Sequence, residues 1–323
     1  MDIIKKQIGF GVFLVGILFL LSNCYPENNL FETEHDLLRI SGSNYQTENV
    51  VLVVIDGVRQ SETWGDPEHR YIPKMSKELA PNGIVLSNFY NSGITYTIPG
   101  HTAITTGYYD DLSNNGNEYP RKASFFQMWL KVSNMPNTKA WIVTSKAKLK
   151  VLGDCEDMAW RNSYNPSVDA EDREDQLTFK AAISILKSYK PQLFLIHFRG
   201  PDYYGHGGVW ENYLHSIVET DSLAFEIWNY LENDVFYKNK TTFIITNDHG
   251  RHLDNIADGF TGLGDHCAGC THINFFASGP DFKEDLVIGT FREQINILPT
   301  VGELMGFTSS GYKRKVMWEL FKD

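Results

Sequence analysis

The sequence predicts an α/β protein with a doubly wound, mostly parallel sheet flanked by helices. Five short stretches carry apolar side chains on both faces, which is the pattern of strands buried on both sides in a parallel sheet. They span residues 49–56, 139–145, 191–198, 241–248 and 272–278. Between them, residues 176–189 and 211–234 carry apolar side chains at helical spacing. Alternating strands and helices are typical of this fold class, in which ligands bind at the carboxyl ends of the strands.

Composition sets limits on the kind of partner. The 323-residue chain is 42% hydrophobic and 21% charged, which is ordinary for a globular protein with a sizeable core. A formal net charge of −11 argues against non-specific nucleic-acid binding. A small phosphate-bearing substrate stays compatible with this charge, provided that cations lie in the site.

The N-terminal 23 residues predict a lipoprotein signal peptide. Two lysines precede an apolar run at 8–21, and this run is shorter than the ~20 residues of a usual membrane span. Leu-Ser-Asn-Cys follows and resembles a bacterial lipobox, so Cys24 would become the lipidated N-terminus; an uncleaved anchor is the alternative. We therefore expect a polar tether at 24–47 and a single folded domain at 48–323, held at the membrane and facing the periplasm or the exterior.

Three further cysteines are Cys155, Cys267 and Cys270. The last two form a C-x-x-C, but the chain has no second C-x-x-C to complete a zinc knuckle. In an oxidising compartment a local disulfide is an alternative. The sequence leaves the role of this motif open.

Side chains that suit metal ions follow several predicted strands, and another precedes the last one. They are Asp56, Asp202, His206, Asp248, His249 and His266. A mixed Asp/His set suits zinc or a similar divalent ion, and six ligands are too many for one tetrahedral zinc. Two ions about 4 Å apart, a spacing common in phosphatases and nucleases, would use them all.

Thr97 lies in the segment T-Y-T-I-P-G-H, where a strand gives way to a helix. Proline is well tolerated in the first turn of a helix, so Pro99 predicts a helix N-terminus beside Thr97. Unpaired N–H groups at such an end favour an anion. The alternative is that Thr97 only caps the helix.

The order of these motifs resembles the alkaline phosphatase superfamily, and within it the type I phosphodiesterase/nucleotide pyrophosphatase branch. The motifs are a strand ending in Asp, then T-x-P-x-H, D-x-x-G-H, D-H-G, and G-D-H before G-P-x-F-K, over roughly residues 50–283. The resemblance implies two divalent ions, zinc in type. Its first ligand set is Asp202, His206 and His266, and its second is Asp56, Asp248 and His249 with the oxygen of Thr97.

The same resemblance implies that Thr97 is the nucleophile and that a phosphothreonine forms during turnover. Asn115 would contact a phosphoryl oxygen, with Asn114 and Asn117 as alternatives in a shortened segment. Lys146 and Lys148 would bind the phosphate, or they belong to a solvated charge run. Three other histidines receive no role in the chemistry: His101 is expected to be structural, His197 a core residue, and His252 lies nearby unassigned.

The expected activity is hydrolysis of a phosphodiester or a nucleotide pyrophosphate. A phosphomonoesterase of the same superfamily is the alternative; it is less favoured because Lys148 stands where an arginine would bind two phosphate oxygens at once. A sulfatase would share the fold, but its C/S-x-P-x-R motif does not match T-I-P-G-H. A non-catalytic surface lipoprotein is the alternative from another class.

Overall fold

The computed structural model describes residues 38–39, 45–308 and 315–323. The predicted signal peptide and most of the predicted tether lie outside the described residues. Within these ranges, no helix combines the length and the hydropathy that a membrane crossing requires.

The described strands and helices alternate along the chain. The strands are β1 (Leu38–Arg39), β2 (Asn49–Ile55), β3 (Ile84–Leu86), β4 (Phe89–Tyr90), β5 (Ala140–Thr144), β6 (Ser167–Ala170), β7 (Leu193–Phe198), β8 (Thr241–Thr246), β9 (His272–Ile273), β10 (Phe275–Ser278), β11 (Leu286–Ile288), β12 (Arg292–Glu293) and β13 (Phe307–Thr308). The helices are α1 (Thr97–Thr106), α2 (Phe125–Ser133), α3 (Asp175–Tyr189), α4 (Gly200–His206), α5 (Trp210–Asn233), α6 (Ala268–Thr271) and α7 (Ile297–Met305).

The main sheet has eight strands in the order β11-β3-β10-β8-β2-β7-β5-β6. Strands β8, β2, β7, β5 and β6 run parallel, and only β10 is antiparallel to its neighbours. The predicted fold class, a mostly parallel sheet flanked by helices, is confirmed. Val50 pairs with both Leu193 and Thr242, so β2, β7 and β8 end at the same edge.

Both faces of the sheet are covered, which explains the continuous apolar runs. Val50, Leu52 and Val54 of β2 belong to a core that includes residues of α1, α2 and α7. The alternate residues of β2 belong to a second core that includes residues of α3 and α5. Because successive side chains of a strand point to opposite faces, every position of β2 is buried.

The last predicted strand, residues 272–278, differs from the prediction. It is divided into β9, which pairs with β4 in a small sheet, and β10, which is antiparallel in the main sheet. Asn274 separates them, because its N–H donates to Asn247 Oδ1 at 2.7 Å and its carbonyl accepts from Thr246 Oγ1 at 2.8 Å. The last side chain of β8 and the one after it therefore take the backbone bonds that would have continued a single strand.

Candidate active site

Asp56, Asp248 and His249 come together where β2 and β8 end. Asp56 follows β2 directly, and Asp248 and His249 follow β8 after one residue. All three side chains are fully buried, and their ligand atoms lie within 4.8 Å of one another. Gly57, whose φ of +65° suits glycine, lets Asp202 lie next to this group, because a Cβ there would meet the Asp202 side chain at 2.9 Å.

The three ligand atoms face each other with no donor between them. Asp56 Oδ1, Asp248 Oδ2 and His249 Nε2 each lack a hydrogen-bond partner within the described part of the chain. In the neutral ring, His249 Nδ1–H donates to the Gly250 carbonyl at 2.9 Å, which leaves a lone pair on Nε2. That atom lies 3.5 Å from Asp56 Oδ1 and 3.5 Å from Asp248 Oδ2. Three buried acceptors without a donor fit a cation, and Asp with His suits a divalent metal ion.

Two buried histidines lie next to the carboxylates, and one of them, His197, is hydrogen-bonded to Asp56. His197 Nδ1 accepts from the Ser145 N–H, so Nε2–H donates to Asp56 Oδ2 at 2.9 Å. Burial lowers the pKa of His197 to about 4, so the ring stays neutral. His101 Nδ1 lies 2.8 Å from the Thr97 carbonyl and 3.3 Å from Asp248 Oδ2. The sequence alone predicts only a structural role for His101 and a core role for His197, whereas both rings lie beside expected ligands.

Thr97 is the first residue of α1, and Tyr96 takes the N-cap position without a side-chain cap. The capping alternative for Thr97 therefore does not describe this helix. Pro99 lies in the first turn, as the sequence predicts. Gly100 allows α1 to lie against the Asp248 backbone, because a Cβ there would meet the Asp248 carbonyl at 2.6 Å. The helix start and the three ligand atoms thus belong to one site.

Lys146 lies between the carboxylates and the threonine. Its ammonium nitrogen is 2.7 Å from Asp56 Oδ2, 2.6 Å from Asp202 Oδ2 and 3.2 Å from Thr97 Oγ1. Burial opposes its charge, but the two carboxylates outweigh burial and raise the pKa of Lys146. Burial likewise works against the Asp56 carboxylate, and Lys146 with His197 nevertheless holds the pKa of Asp56 well below its usual range. Lys146 is therefore a fixed positive charge in contact with the hydroxyl of Thr97.

The other predicted ligand set is not brought together in this way. Asp202 Oδ1 accepts from buried Arg251, while Asp202 Oδ2 accepts from Lys146. His206 lies one helical turn after Asp202, with Nε2 3.4 Å from Asp202 Oδ1, and its side chain is 57% exposed. His266 is exposed with a φ of +58°. The side chains of Arg251 and Lys146 thus pair with Asp202, the one carboxylate of this set. Arg251 is a site residue that the sequence analysis did not identify.

An open cleft of about 930 Å³ leads to Thr97 and Lys146, a usual size for a small-molecule site. Asn114 lines it, and its Oδ1 accepts from the Ile98 N–H at 3.0 Å and from Lys148 Nζ at 3.0 Å. The predicted Asn115 is instead exposed, and its Oδ1 accepts from Ser113 and from the Asn117 N–H in a local turn. The alternative Asn114 is thus the amide at the start of α1. Burial, followed by repulsion from Lys146, lowers the pKa of Lys148, which also lines the cleft.

The mostly parallel sheet, with polar side chains at the ends of its strands, is an alkaline phosphatase-like α/β fold. The chain belongs to the sulfatase family, whose sequence profile matches residues 48–307. No curated protein gives a significant match.

Solved structures support the same assignment of the fold. The C-terminal periplasmic domain of EcEptC from Escherichia coli superposes with a TM-score of 0.60 at 17% identity, covering 86% of this chain and 86% of that one. Murine ectonucleotide pyrophosphatase/phosphodiesterase 5 gives a TM-score of 0.58 at 13% identity, covering 85% of this chain and 100% of that one. A phosphonate monoester hydrolase from Silicibacter pomeroyi gives 0.59 at 12% identity, covering 81% and 74%.

Proposed function

We propose that the protein is a metal-dependent phosphoric ester hydrolase that attacks through Thr97 and acts on phosphodiesters or nucleotide pyrophosphates. The observation that carries this proposal is the convergence at the start of α1 of a hydroxyl, a fixed ammonium and three unpartnered ligand atoms. A hydroxyl is a weak nucleophile on its own, and a cationic surrounding favours its reactive form. The same positive charge attracts the phosphoryl group.

Asp56, Asp248 and His249 would hold one divalent ion, and zinc suits this donor set. When bound, the ion lowers the pKa of a neighbouring hydroxyl and offsets the charge of the phosphoryl oxygens. We propose one ion in the active site, where the six predicted ligands imply two. Lys146 supports this count, since its ammonium already bridges Asp56 and Asp202.

The proposed reaction has two displacements at phosphorus. Thr97 Oγ forms a bond to phosphorus while the bond from phosphorus to the leaving group breaks, so Thr97 carries the phosphoryl group. The hydroxyl proton passes to solvent, and the leaving oxygen takes a proton from solvent in the open cleft. Water then attacks the same phosphorus, the bond to Thr97 breaks, and Thr97 regains its proton. Lys146 keeps its charge throughout and stabilises the negative charge that develops next to it.

The shape of the cleft supports a substrate with a bulky second group. Tyr96, Tyr203 and Tyr204 line the cleft, and the first two are 39% and 51% exposed. Aromatic rings of this kind can stack on a planar or sugar group next to the phosphate.

A specific observation also favours the phosphomonoesterase alternative. Lys148 adds a second cation to the cleft beside Lys146, and a phosphomonoester carries more negative charge than a phosphodiester.

Matched aryl esters test the proposal with the metal-loaded protein. We expect kcat/KM to be highest for the phosphodiester, lower for the phosphomonoester and lowest for the sulfate ester. Thr97→Ala should retain metal and fold while losing most activity, and Thr97→Ser should keep measurable turnover. Native-like rates in Thr97→Ala would instead support direct attack by water. Absence of hydrolysis across the whole panel would support the non-catalytic alternative.

We also propose that the protein works in the cell envelope, because the predicted lipobox ends at Cys24. In cells fed a labelled fatty acid, the native protein should carry the label and Cys24→Ala should not. Label that persists in Cys24→Ala would contradict lipidation at this residue.

A further inference from the structure

Four side chains outside the active-site ligand set converge within the segment 252–270. His252, Asp265, Cys267 and Cys270 each offer one ligand atom, and these atoms lie within 4.8 Å of one another. The C-x-x-C spans the start of α6, so the two sulfurs lie on the same side, 2.7 Å apart, and both cysteines are free thiols. Cys270 is buried and Asp265 is exposed, so the group lies just beneath the surface.

His252 presents an unpartnered ring nitrogen to this group. Its side chain is 8% exposed, and Nδ1–H donates to Asp258 Oδ1 at 2.6 Å. In the neutral ring that makes this bond, Nε2 keeps a lone pair, and that atom has no hydrogen-bond partner in the described chain. It faces Asp265 Oδ1 at 3.1 Å. Two acceptors at this distance repel each other unless a positive charge lies between them. Asp258 also orients His252 as a carboxylate orients the histidine ligands of zinc.

The backbone positions the other donors. The Cys270 N–H donates to Cys267 Sγ at 3.2 Å, a contact that favours negative charge on the sulfur. The Cys267 N–H donates to Asp265 Oδ1 at 3.0 Å and holds that carboxylate next to the thiols. Two sulfurs, one imidazole nitrogen and one carboxylate oxygen form the donor set of a closed tetrahedral zinc site.

We propose that His252, Asp265, Cys267 and Cys270 bind a structural zinc ion, separate from the ion at Asp56, Asp248 and His249. The ion would cross-link the two ends of the segment 252–270, which begins shortly after the active-site ligands Asp248 and His249. The Gly250 N–H donates to the Cys270 carbonyl at 2.8 Å, and the His252 N–H donates to the Gly262 carbonyl at 3.0 Å. The ion would add a cross-link to these two backbone bonds.

Cobalt substitution tests the site without reference to activity. The purified full chain is stripped with a chelator under reducing conditions and titrated with Co²⁺, then with Zn²⁺. A thiolate ligand gives a sulfur-to-cobalt charge-transfer band, whereas the active-site set has only oxygen and nitrogen donors. We expect this band to appear with one equivalent of Co²⁺ and to disappear when Zn²⁺ displaces it.

Variants assign the band to these residues. Cys270→Ser should abolish it and remove one zinc equivalent per chain, while the matched control Cys155→Ser, at a buried cysteine elsewhere, should leave both unchanged. Asp248→Ala should keep the band although it loses the active-site ion, so the two proposals fail independently. If Cys270→Ser does not fold, Asp258→Asn should fold and bind Co²⁺ about 10- to 100-fold more weakly.

Three outcomes would overturn the proposal. The first is a Co²⁺ titration of the native chain without a thiolate band. The second is an unchanged zinc content in Cys270→Ser. The third is a Cys267–Cys270 disulfide, found by mass and thiol titration, in protein taken directly from the cell envelope, because a disulfide leaves no thiolate for the metal.

Discussion

Replacing Lys146 with methionine tests the charge at the centre of the site. The change keeps most of the side chain's length and removes an ammonium that contacts Asp56 at 2.7 Å and Asp202 at 2.6 Å. Loss of one partner from a buried ion pair costs about 3–5 kcal/mol. Asp202 keeps Arg251 and Asp56 keeps His197. We therefore expect the lower end, a fall of about 3 kcal/mol in the free energy of unfolding of metal-free protein at pH 7.

The pH dependence of this loss has a defined sign. Asp56 has a depressed pKa in the folded protein despite its burial, with Lys146 as the largest favourable influence. Its contribution to stability is present above the usual pKa of the carboxyl and is lost as pH falls through the lowered one. Without Lys146 the pKa of Asp56 rises, so Lys146→Met should unfold in acid at a higher pH than the native protein.

Activity should fall as well, because the ammonium lies 3.2 Å from Thr97 Oγ1. Removal of one preorganised donor from a developing anion costs on the order of 10²–10³ in rate. The measurements are kcat/KM on an aryl phosphodiester and urea unfolding with a chelator present. Lys150→Met is the matched control, since Lys150 is an exposed lysine of the same segment that does not line the cleft. A Lys146→Met variant with native stability and native kcat/KM would refute the central position of this charge.

Three further predictions address metal count, pH and the amide at the start of α1. By metal analysis, Asp248→Ala should lose the active-site ion while His206→Ala keeps it. A lower metal content in His206→Ala would instead support two ions in the active site. Burial raises the pKa of Asp221 to about 6 in the folded protein. As pH rises from 4 to 6, the carboxyl of the unfolded chain therefore loses its proton before that of the folded protein does. The free energy of unfolding should fall over this range by up to about 3 kcal/mol. Asp221→Asn should remove that slope in urea titrations. Asn114→Ala should lower kcat/KM several-fold, because it frees Lys148 and the helix start.

Matched controls exist for two of these changes. Glu226 is an exposed acid on the same helix as Asp221, and Glu226→Gln should keep the native pH slope. Asn115 lies in an exposed turn beside Asn114, and Asn115→Ala should leave kcat/KM close to native. A slope retained in Asp221→Asn, or an equal loss in both asparagine variants, would contradict the reasoning.

The fold could be predicted because burial on both faces leaves a simple mark in the sequence. Every residue of β2 is buried, and residues 50–55 of this strand read as an unbroken apolar run. Strand direction leaves no such mark, since an apolar run looks the same whether its neighbours are parallel or antiparallel. The antiparallel β10 and the break at Asn274 therefore needed the structure.

The site was predictable only as far as strand ends determine it. Asp56, Asp248 and His249 follow neighbouring parallel strands, so their convergence follows from topology. The resemblance places Lys146 in the site but does not predict its contacts with Asp56 and Asp202, and Arg251 reaches Asp202 from 49 residues away in sequence. Such contacts depend on tertiary packing, for which spacing in the sequence gives no signal.

Arg251 also connects the charged centre to the wall of the cleft. Its guanidinium donates to Asp202 Oδ1, to the Phe260 carbonyl and, at 2.7 Å, to the Thr261 carbonyl. Thr261 and the next two residues line the cleft, and they lie in the segment that the proposed structural zinc would close. Loss of that ion should therefore loosen one wall while the charges around Thr97 stay in place. A looser wall would weaken the binding of substrate and of transition state equally, and it would affect the chemical step less. Cys270→Ser should therefore raise KM more than it lowers kcat.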